Sequence, residues 1–396
     1  MSILHVVQFS LPEVCSGYTL RTQAIVREQQ ALGLEPVVLT SPRHPTDQPC
    51  DVRGVRHFRC PPERTAATVW TRDVRRVRAL ARRIAEVAQA VGSVKVIHAH
   101  SPVLCGLAAL RAARQLRLPV VYEVRGLWEE AMVQEVPRRR FGARYLLARF
   151  SESHVCRRAN AVIAISEGLR SDLGGRGAPP DRITVVPNGV DTEAFAPRPE
   201  SPGWRVRHGL LEGPLVLYLG AIRRYEGVEV LLDAFRLIRT RSPGAQLAVV
   251  GGGEDSGRVA SLAAERGAGV AVLGSVPHDS VGEFYAAADI VAYPRLSTRA
   301  TELVTPLKPL EAMAMAKAIV ASDVGGLREM LTDGETACLV PPGSVAALAD
   351  GLADLLDDES QRLRLGQTAR SVTCERLDWR MVVKRYTDVY ASLCAG

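Results

Sequence analysis

The 396-residue sequence predicts an α/β protein with two doubly wound domains, each built on a parallel sheet. Three features favour this class. Short apolar runs alternate with helical patterns along the whole chain, which implies parallel strands joined by right-handed crossovers. The runs are apolar at nearly every position, as in the Leu-Val-Leu-Tyr-Leu run at 215–219, which is typical of a sheet buried on both faces. A proline-rich segment interrupts the alternation near the middle of the chain.

The predicted strands form two groups of six. They are Ile3–Phe9, Glu35–Leu39, Val94–His98, Val120–Val124, Ala161–Ile165 and Ile183–Val186, then Leu215–Leu219, Gln246–Val250, Val270–Leu273, Ile290–Tyr293, Ala318–Ala321 and Cys338–Val340. Helical stretches separate most of them.

The break between the domains falls at 187–213, where a Pro-Asn-Gly turn and the proline-rich segment 196–203 mark a linker. We therefore expect a first domain at 1–193, a second at 194–375, and a C-terminal helix at 376–396 that packs back toward the first domain. Ligands of doubly wound sheets bind outside the carboxyl ends of the strands. The expected site is thus a cleft between two domains that face each other.

Composition excludes several classes of protein. The 47% hydrophobic content is that of a globular protein, and no apolar run reaches the ~20 residues that span a bilayer. The first residues are expected to form a strand, not a signal peptide. Eight cysteines without Cys-x-x-Cys spacing are typical of reduced thiols in a cytoplasmic protein, so no metal site is predicted. No cofactor is predicted either.

Positive charge is concentrated in the first half of the chain. Residues 1–200 hold 29 Lys/Arg against 19 Asp/Glu, whereas residues 201–396 hold 21 against 24. Segments 69–84 and 137–150 mix arginines with apolar side chains, as in helices that lie on an anionic membrane surface. A solvated arginine-rich helix face is the alternative. Nucleic acid is not a predicted partner, because no recognised binding motif accompanies the charge.

The stretch 302–329 carries the strongest functional signal. Thr305 is predicted to cap a helix over 306–316, with Pro306 at its first position. Lys308 then lies in the first turn, where an anion such as a diphosphate is favoured, and Glu311 follows on the same face. This carboxylate could accept both hydroxyls of a ribose while the lysine neutralises a phosphate. The alternative is an ordinary exposed Lys–Glu pair.

Taken together, the motifs resemble the family 4 retaining glycosyltransferases, which have the two-domain GT-B fold. The resemblance covers nearly the whole chain and rests on segments 16–18, 98–102, 165–169, 186–191, 219–221, 250–254, 276–278 and 325–329. The runs at 16–22, 98–104, 225–227 and 301–314 resemble, more narrowly, the branch associated with exosortase and exopolysaccharide loci.

This resemblance implies metal-independent transfer of a sugar from a nucleotide-sugar to an acceptor hydroxyl, with retention at the anomeric carbon. The donor would bind the second domain, and a glycan or lipid-linked acceptor the first. The implied setting is exopolysaccharide or other cell-surface glycan synthesis, in the cytoplasm and peripheral at the inner face of the membrane.

For the donor site, the resemblance implies that Glu311 binds the ribose and that Lys308 acts on the diphosphate, with Thr305 and Leu307 also contacting the donor. The family's other glutamate stands eight positions before the first, which here is Leu303. Glu302 is one residue further away and would take the catalytic role only if the loop shifts.

The loop after Gly220 departs from the family, which commonly has Arg and Lys where this chain has Ala221 and Glu226. Arg223 and Arg224 could supply the missing positive charge for the phosphates; otherwise Lys308, Arg295 or Arg299 must do so. The alternative is that Arg223 and Arg224 are exposed loop arginines that bind no ligand.

Other implied donor contacts are Gly17, Gly252, Gly253, Pro277 and His278. Gly17 could equally be a plain turn glycine, and His278 could cap the next helix. The glycines at 251–253 do not form a Gly-x-Gly-x-x-Gly fingerprint, so a dinucleotide is not predicted.

For the acceptor side, Arg125 occupies the place of a family histidine. It cannot act as a base because guanidinium stays protonated, but it could hold an acceptor or a phosphate group. His100 is the second candidate; His98 and His100 alternate at a strand end, so that one could face the cleft while His98 packs inside.

Two rival functions remain. A nucleotide-sugar epimerase uses the same fold and would convert its donor without an acceptor. A non-catalytic nucleotide-sugar-binding protein would fit the missing glutamate spacing and the missing histidine.

Overall fold

The computed structural model describes residues 1–62, 69–131, 142–266 and 269–394. The chain divides into two compact units. Unit 1 comprises Met1–Asn188 and Trp379–Gly396, and unit 2 comprises Gly189–Asp378. Each unit is described separately below.

The sheet of unit 1 has, in the described part of the chain, eight strands in the order β3-β4-β2-β1-β5-β6-β7-β8. All neighbours are parallel except β3 and β4. The strands are β1 (Ser2–Val7), β2 (Glu35–Thr40), β3 (Cys50–Val52), β4 (Val55–Phe58), β5 (Val94–His100), β6 (Val120–Val124), β7 (Ala161–Ala164) and β8 (Ile183–Val185).

Helices connect these strands. They are α1 (Gly17–Ala31), α2 (Val69–Val91), α3 (Val103–Leu116), α4 (Trp128–Ala131), α5 (Ala143–Arg158) and α6 (Glu167–Gly175), and the chain returns to unit 1 at its end with α16 (Trp379–Val382) and α17 (Lys384–Cys394). Ser16 caps α1 through a capping box with Thr19. Residues 137–141 of the predicted basic segment, and the side chains of 69–71, lie outside the described part.

Unit 2 repeats the scheme with a parallel sheet whose described strands run in the order β11-β10-β9-β12-β13-β14. The strands are β9 (Leu215–Leu219), β10 (Gln246–Val250), β11 (Val270–Gly274), β12 (Ile290–Tyr293), β13 (Ala318–Ser322) and β14 (Cys338–Val340). The helices are α7 (Trp204–Arg207), α8 (Val228–Arg241), α9 (Ser256–Arg266), α10 (Val281–Ala287), α11 (Arg299–Leu303), α12 (Lys308–Ala314), α13 (Gly325–Arg328), α14 (Val345–Asp357) and α15 (Glu359–Val372), followed by a π-helical turn at Thr373–Leu377.

Packing in unit 2 shows why its strands are apolar at every position. Leu215, Leu217 and Leu219 of β9 belong to one buried cluster, and Val216 and Tyr218 belong to another. Successive side chains of a strand point to opposite faces, so both faces of the sheet are covered. The predicted α/β class with two doubly wound parallel sheets is therefore confirmed.

All twelve predicted strands are present, with ends that differ by up to two residues. The β3–β4 hairpin was missed. Its strands are short, and its turn uses Arg53 and Gly54 at positive φ (54° and 83°), where only the glycine was a visible signal. None of the helices in the described part combines the length and the hydrophobicity needed to cross a bilayer.

Candidate functional site

The Lys308–Glu311 pair of unit 2 lies at the start of α12. Lys308 Nζ is 3.1 Å from Glu311 Oε2 and 3.4 Å from Oε1. The predicted helix start was wrong: α12 begins at Lys308, and its N-cap is Leu307, whose side chain makes no capping hydrogen bond. Pro309 takes the place in the first turn that was predicted for Pro306, because a proline lacks the N–H that would be unpaired there. The i, i+3 pairing itself does not depend on this shift.

Two buried tyrosines hold this pair in place. Tyr285 donates to Glu311 Oε2 at 3.1 Å, and Tyr293 donates to the backbone oxygen of Lys308 at 2.9 Å. Burial raises the pKa of both phenols well above the usual value, so both remain proton donors at neutral pH. The glutamate side chain is 10% exposed and the lysine 31%. The carboxylate is therefore fixed, while the ammonium group remains accessible to solvent.

His278 lies within electrostatic reach of the pair. Burial lowers the pKa of its imidazole; Glu311 acts against this shift, and Lys308 adds to it. His278 begins the 3-10 turn His278–Ser280, with Pro277 as N-cap, and its ring centroid is 6.1 Å from that of Phe195. The structure thus brings one predicted donor contact close to the Lys308–Glu311 pair.

Glu302 has a different set of partners. Its Oε1 accepts from Ser297 Oγ at 2.6 Å, and its Oε2 accepts from the backbone N–H of Gly325 at 2.7 Å. A Cβ at Gly325 would overlap the backbone oxygen of Glu302. Glu302 therefore anchors the start of α13, and the Gly-Gly sequence at 325–326 is needed for this close approach.

An ion pair that the sequence did not reveal joins the loop after β9 to the loop after β12. Arg295 makes a bidentate contact with Glu226, with both N–O distances at 3.1 Å. The side chains are 8% and 16% exposed. The carboxylate at position 226 thus has its own buried cation, which explains how the loop accommodates an acidic residue. Arg295 is thus paired with Glu226. Arg223 and Arg224 lie at the start of the 3-10 turn Arg224–Glu226, with Arg223 as its N-cap.

Glycines at the carboxyl ends of β9 and β10 allow these loops to pack together. A Cβ at Gly251 would overlap the backbone oxygen of Gly220, and one at Gly253 would overlap that of Ile222. Gly252 abuts Ser275. Loop packing alone therefore accounts for glycine at 251–253.

Unit 1 contains a buried carboxylate, Glu123, on β6. Its Oε1 accepts from Arg21 Nε at 3.0 Å and from Arg125 Nε at 2.9 Å. Its Oε2 accepts from Tyr386 of α17 at 3.1 Å and lies 3.2 Å from His98 Nε2. Burial by itself would raise the pKa of Glu123, but the two guanidinium groups hold it well below the usual value. The carboxylate is therefore ionised although it is fully buried.

A chain of hydrogen bonds extends from this carboxylate. Arg125 donates to His100 Nδ1 at 2.7 Å, and His100 Nε2 is 2.9 Å from His5 Nδ1. Because an arginine can only donate, His100 carries its proton on Nε2 and donates to His5. The chain continues through Gln29 and Tyr390 to His98, whose Nε2 lies 3.2 Å from Glu123 Oε2 without meeting the geometry of a hydrogen bond.

We call His5, His98 and His100 the histidine cluster. Burial lowers the pKa of all three rings, and the neighbouring charge of Arg125 acts in the same direction. The cluster is therefore neutral at pH 7. The three rings are close enough for a metal site, but every ring nitrogen except His98 Nε2 already has a hydrogen-bond partner within the cluster or on Arg125, Gln29 or Tyr390.

A pocket of about 300 Å³ lies beside this network, at the carboxyl ends of β1, β5 and β6. Tyr18, Ser101, Arg125 and Trp128 are among its lining residues. The Arg125 guanidinium lies 4.9 Å from the Tyr18 ring and donates to Thr22 Oγ1 at 2.7 Å. His100 is fully buried, so Arg125 is the candidate that reaches this pocket.

Sequence reasoning missed Glu123, Arg21, Tyr285 and Tyr293. The available signal was chemical: an ionisable residue in an otherwise apolar strand must have a buried partner. Nothing in the local pattern names that partner, because Glu123 and Tyr386 are separated by 263 positions.

Two doubly wound units of this kind form the GT-B fold, which solved glycosyltransferases share. The sucrose-phosphate synthase of Thermosynechococcus elongatus aligns over 100% of both chains, with a TM-score of 0.83 and 21% identity. Anabaena HepE in complex with UDP-glucose aligns over 99% of this chain and 100% of its own, with a TM-score of 0.76 and 19% identity.

Sequence comparison then gives the family. Residues 16–189 match the family described as glycosyl transferase 4-like domain, and residues 202–372 match the family described as glycosyl transferases group 1. The alpha-maltose-1-phosphate synthase of Mycolicibacterium smegmatis is 31% identical over 64% of this chain and 68% of its own length. The chain belongs to the family 4 GT-B glycosyltransferases, and the broad resemblance in its motifs is confirmed.

Proposed function

We propose that this glycosyltransferase moves a sugar from a nucleoside-diphosphate donor to an acceptor hydroxyl with retention at the anomeric carbon. The setting is exopolysaccharide or other cell-surface glycan assembly. Support for the donor class comes from the UDP-glucose bound to Anabaena HepE. Support for the setting comes from the branch motifs at 16–22, 98–104 and 301–314.

The Lys308–Glu311 pair carries this proposal. Glu311 accepts hydrogen bonds from the ribose hydroxyls, and Lys308 exchanges part of its contact with Glu311 for the diphosphate. Tyr285 fixes one carboxylate oxygen, so the site is organised before the donor arrives. As the bond between the anomeric carbon and the phosphate oxygen breaks, Lys308 stabilises the charge that develops on the leaving diphosphate.

Further contacts are assigned by position. His278 and Pro277 flank the pair and are proposed to contact the nucleobase. Arg223, Arg224, Gly252, Gly253, Thr305 and Leu307 are proposed donor contacts of unit 2, as is Gly17 of unit 1. We propose that Glu302 acts near the donor sugar from its place against α13.

The acceptor is assigned to unit 1. Arg125 lines the pocket beside β6 and is proposed to hold the acceptor, and His100 supports this by fixing the guanidinium through its Nδ1. Peripheral attachment to the cytoplasmic face of a membrane belongs to the same proposal. It is supported by α5, where Leu146 and Phe150 are 51% and 63% exposed next to arginines.

The test starts with a thermal-shift screen of nucleoside diphosphates, because a ligand that binds only the folded state raises Tm. With the best ligand, Glu311→Gln is expected to weaken binding about tenfold by calorimetry, the loss of one hydrogen bond to a charged group. Lys308→Ala is expected to lower kcat by about 10²–10³-fold with Tm unchanged. Glu283→Gln and Lys95→Ala, at exposed positions, are the matched controls.

Unchanged affinity in Glu311→Gln together with unchanged kcat in Lys308→Ala would remove the pair from the site. Proton NMR of the product reports the anomeric configuration, and inversion would contradict the retaining mechanism. Conversion of the nucleotide-sugar in the absence of an acceptor would indicate an epimerase. If the nucleotide-sugar binds but is not converted under any condition, the chain is a nucleotide-sugar-binding protein.

A further inference from the structure

A second and larger groove of unit 1 has no role in the function proposed above. It measures about 630 Å³ and lies over α3, with α2 on one side and α5 on the other. Val103, Leu104 and Leu107 of α3 form an apolar floor, and Leu147 of α5 and Val77 of α2 line the sides. Leu147 is 41% exposed. A volume of this size is typical of pockets that bind small molecules.

The rim of this groove is strongly basic. Its described lining residues include six arginines and a single acidic residue, Asp73; the arginines are Arg43, Arg72, Arg76, Arg78, Arg111 and Arg144. Burial, together with the like charges of Arg76 and Arg72, lowers the pKa of the Arg43 guanidinium. A bound anion would relieve this repulsion. Apolar walls beneath an excess of guanidinium groups complement a molecule with a hydrocarbon chain and an anionic head.

The groove also leads to the acceptor pocket. Trp128 lines both cavities, and Pro102 of the pocket is followed in the chain by Val103 of the groove. Both cavities begin where β5 and β6 end, which is the edge at which doubly wound sheets bind ligands. A molecule with its chain and its anionic group in the groove would therefore extend a further polar group past Trp128 toward Arg125.

We propose that this groove binds a long-chain lipid phosphate, whose hydrocarbon chain lies on α3 and whose phosphate pairs with the rim arginines. This molecule would carry the acceptor hydroxyl, and that role alone rests on the proposed function. A single amphiphile is favoured over a bilayer surface because the apolar positions line a concave groove, which a flat bilayer would not fill.

Binding is tested on the full chain without any donor, so that failure here is distinguishable from failure of the transferase proposal. Calorimetry compares dodecyl phosphate below its critical micelle concentration, dodecyl maltoside, inorganic phosphate and vesicles of anionic phospholipid. We expect dodecyl phosphate to bind at least about tenfold more tightly than dodecyl maltoside or inorganic phosphate. Of these three ligands, it alone contacts both the apolar walls and the arginines of the rim.

Arg78→Glu, at an exposed rim position, is expected to weaken dodecyl phosphate binding about tenfold. Arg82→Glu makes the same charge change one turn further along α2, outside the groove, and should leave binding within about twofold. Leu147→Ser, which removes apolar surface without adding charge, should weaken binding of the alkyl phosphate and leave that of inorganic phosphate unchanged. Circular dichroism verifies that each variant is folded.

Equal binding of dodecyl maltoside and dodecyl phosphate would show a non-selective apolar surface and overturn the proposal. Equal binding of inorganic phosphate would show a simple anion site and overturn it as well. Binding confined to vesicles, or equal losses in Arg78→Glu and Arg82→Glu, would assign the charge to a membrane surface instead.

Discussion

The buried carboxylate of Glu123 gives the sharpest stability prediction. Glu123→Gln keeps the shape of the side chain but removes the charge between Arg21 and Arg125. Loss of one member of a buried ion pair costs about 3–5 kcal/mol, because the remaining charge stays buried without compensation. In a unit of this size each kcal/mol shifts Tm by about 2–4 °C, so a decrease of about 6–20 °C is expected at pH 7.

A second buried glutamate of unit 1 supplies the control. Burial first, and then the charge of Glu129, raise the pKa of Glu152 to about 8, so this side chain is protonated at pH 7. It accepts a hydrogen bond from Tyr122 at 3.0 Å. Because Gln resembles a protonated Glu in charge and shape, Glu152→Gln should cost less than about 1 kcal/mol.

The assay is urea denaturation followed by far-ultraviolet circular dichroism at pH 7 and at pH 4. The folded-state pKa of Glu123 is depressed, so its contribution is fully present above the unfolded value of about 4.3 and is lost as pH falls toward the folded value. The difference between wild type and Glu123→Gln should therefore be smaller at pH 4 than at pH 7. Equal destabilisation by Glu123→Gln and Glu152→Gln at pH 7 would refute this reasoning.

Three further predictions follow. The histidine cluster should make the free energy of unfolding depend on pH. The pKa values of its three rings are depressed in the folded state, so below pH ~6.5 the unfolded chain binds more protons than the folded chain. Stability should then fall by up to about 1.4 kcal/mol per pH unit for each histidine, which urea titration from pH 8 to 5.5 would measure. Gly251→Ala should destabilise by at least about 1–3 kcal/mol, since φ is +142° and the new methyl group meets a carbonyl oxygen, whereas Gly244→Ala has open space and should be near neutral in the same thermal scan. Glu226→Gln should cost about 1–3 kcal/mol by leaving Arg295 without its buried carboxylate, and a change below 0.5 kcal/mol, roughly that of a surface substitution, would contradict this.

The fold could be predicted because its signals are local. An apolar run such as 215–219 and the helical pattern after it are visible within a short window, and their alternation determines the parallel pairing. The i, i+3 spacing of Lys308 and Glu311 is visible in the same way. The start of α12 was misplaced because prolines at 306 and 309 both suit a first helical turn, and the sequence gives no reason to prefer one.

The networks around the sites could not be predicted, since their partners are distant in sequence. Arg21, Glu123 and Tyr386 lie on α1, β6 and α17, and only the fold brings them together. Likewise, Glu226 looked like a departure that removes a cation from the loop, but Arg295, 69 positions away, pairs with it. Such compensating pairs are invisible without an alignment or a structure.

The two buried glutamates at the sites, Glu123 and Glu311, show how hydrogen-bond capacity separates a structural carboxylate from one that can bind a ligand. A carboxylate offers about four acceptor positions. At Glu123, three of these positions accept from Arg21, Arg125 and Tyr386, and His98 Nε2 lies 3.2 Å from Oε2. At Glu311, the described contacts fall mainly on Oε2, and Oε1 has only a 3.4 Å contact with the lysine. Oε1 therefore keeps capacity for one hydroxyl donor, and for a second once Lys308 releases its 3.4 Å contact, and Lys308 is still in contact with solvent. A ribosyl diphosphate would meet both requirements, which is why we propose the pair in unit 2, and not the network in unit 1, as the donor site.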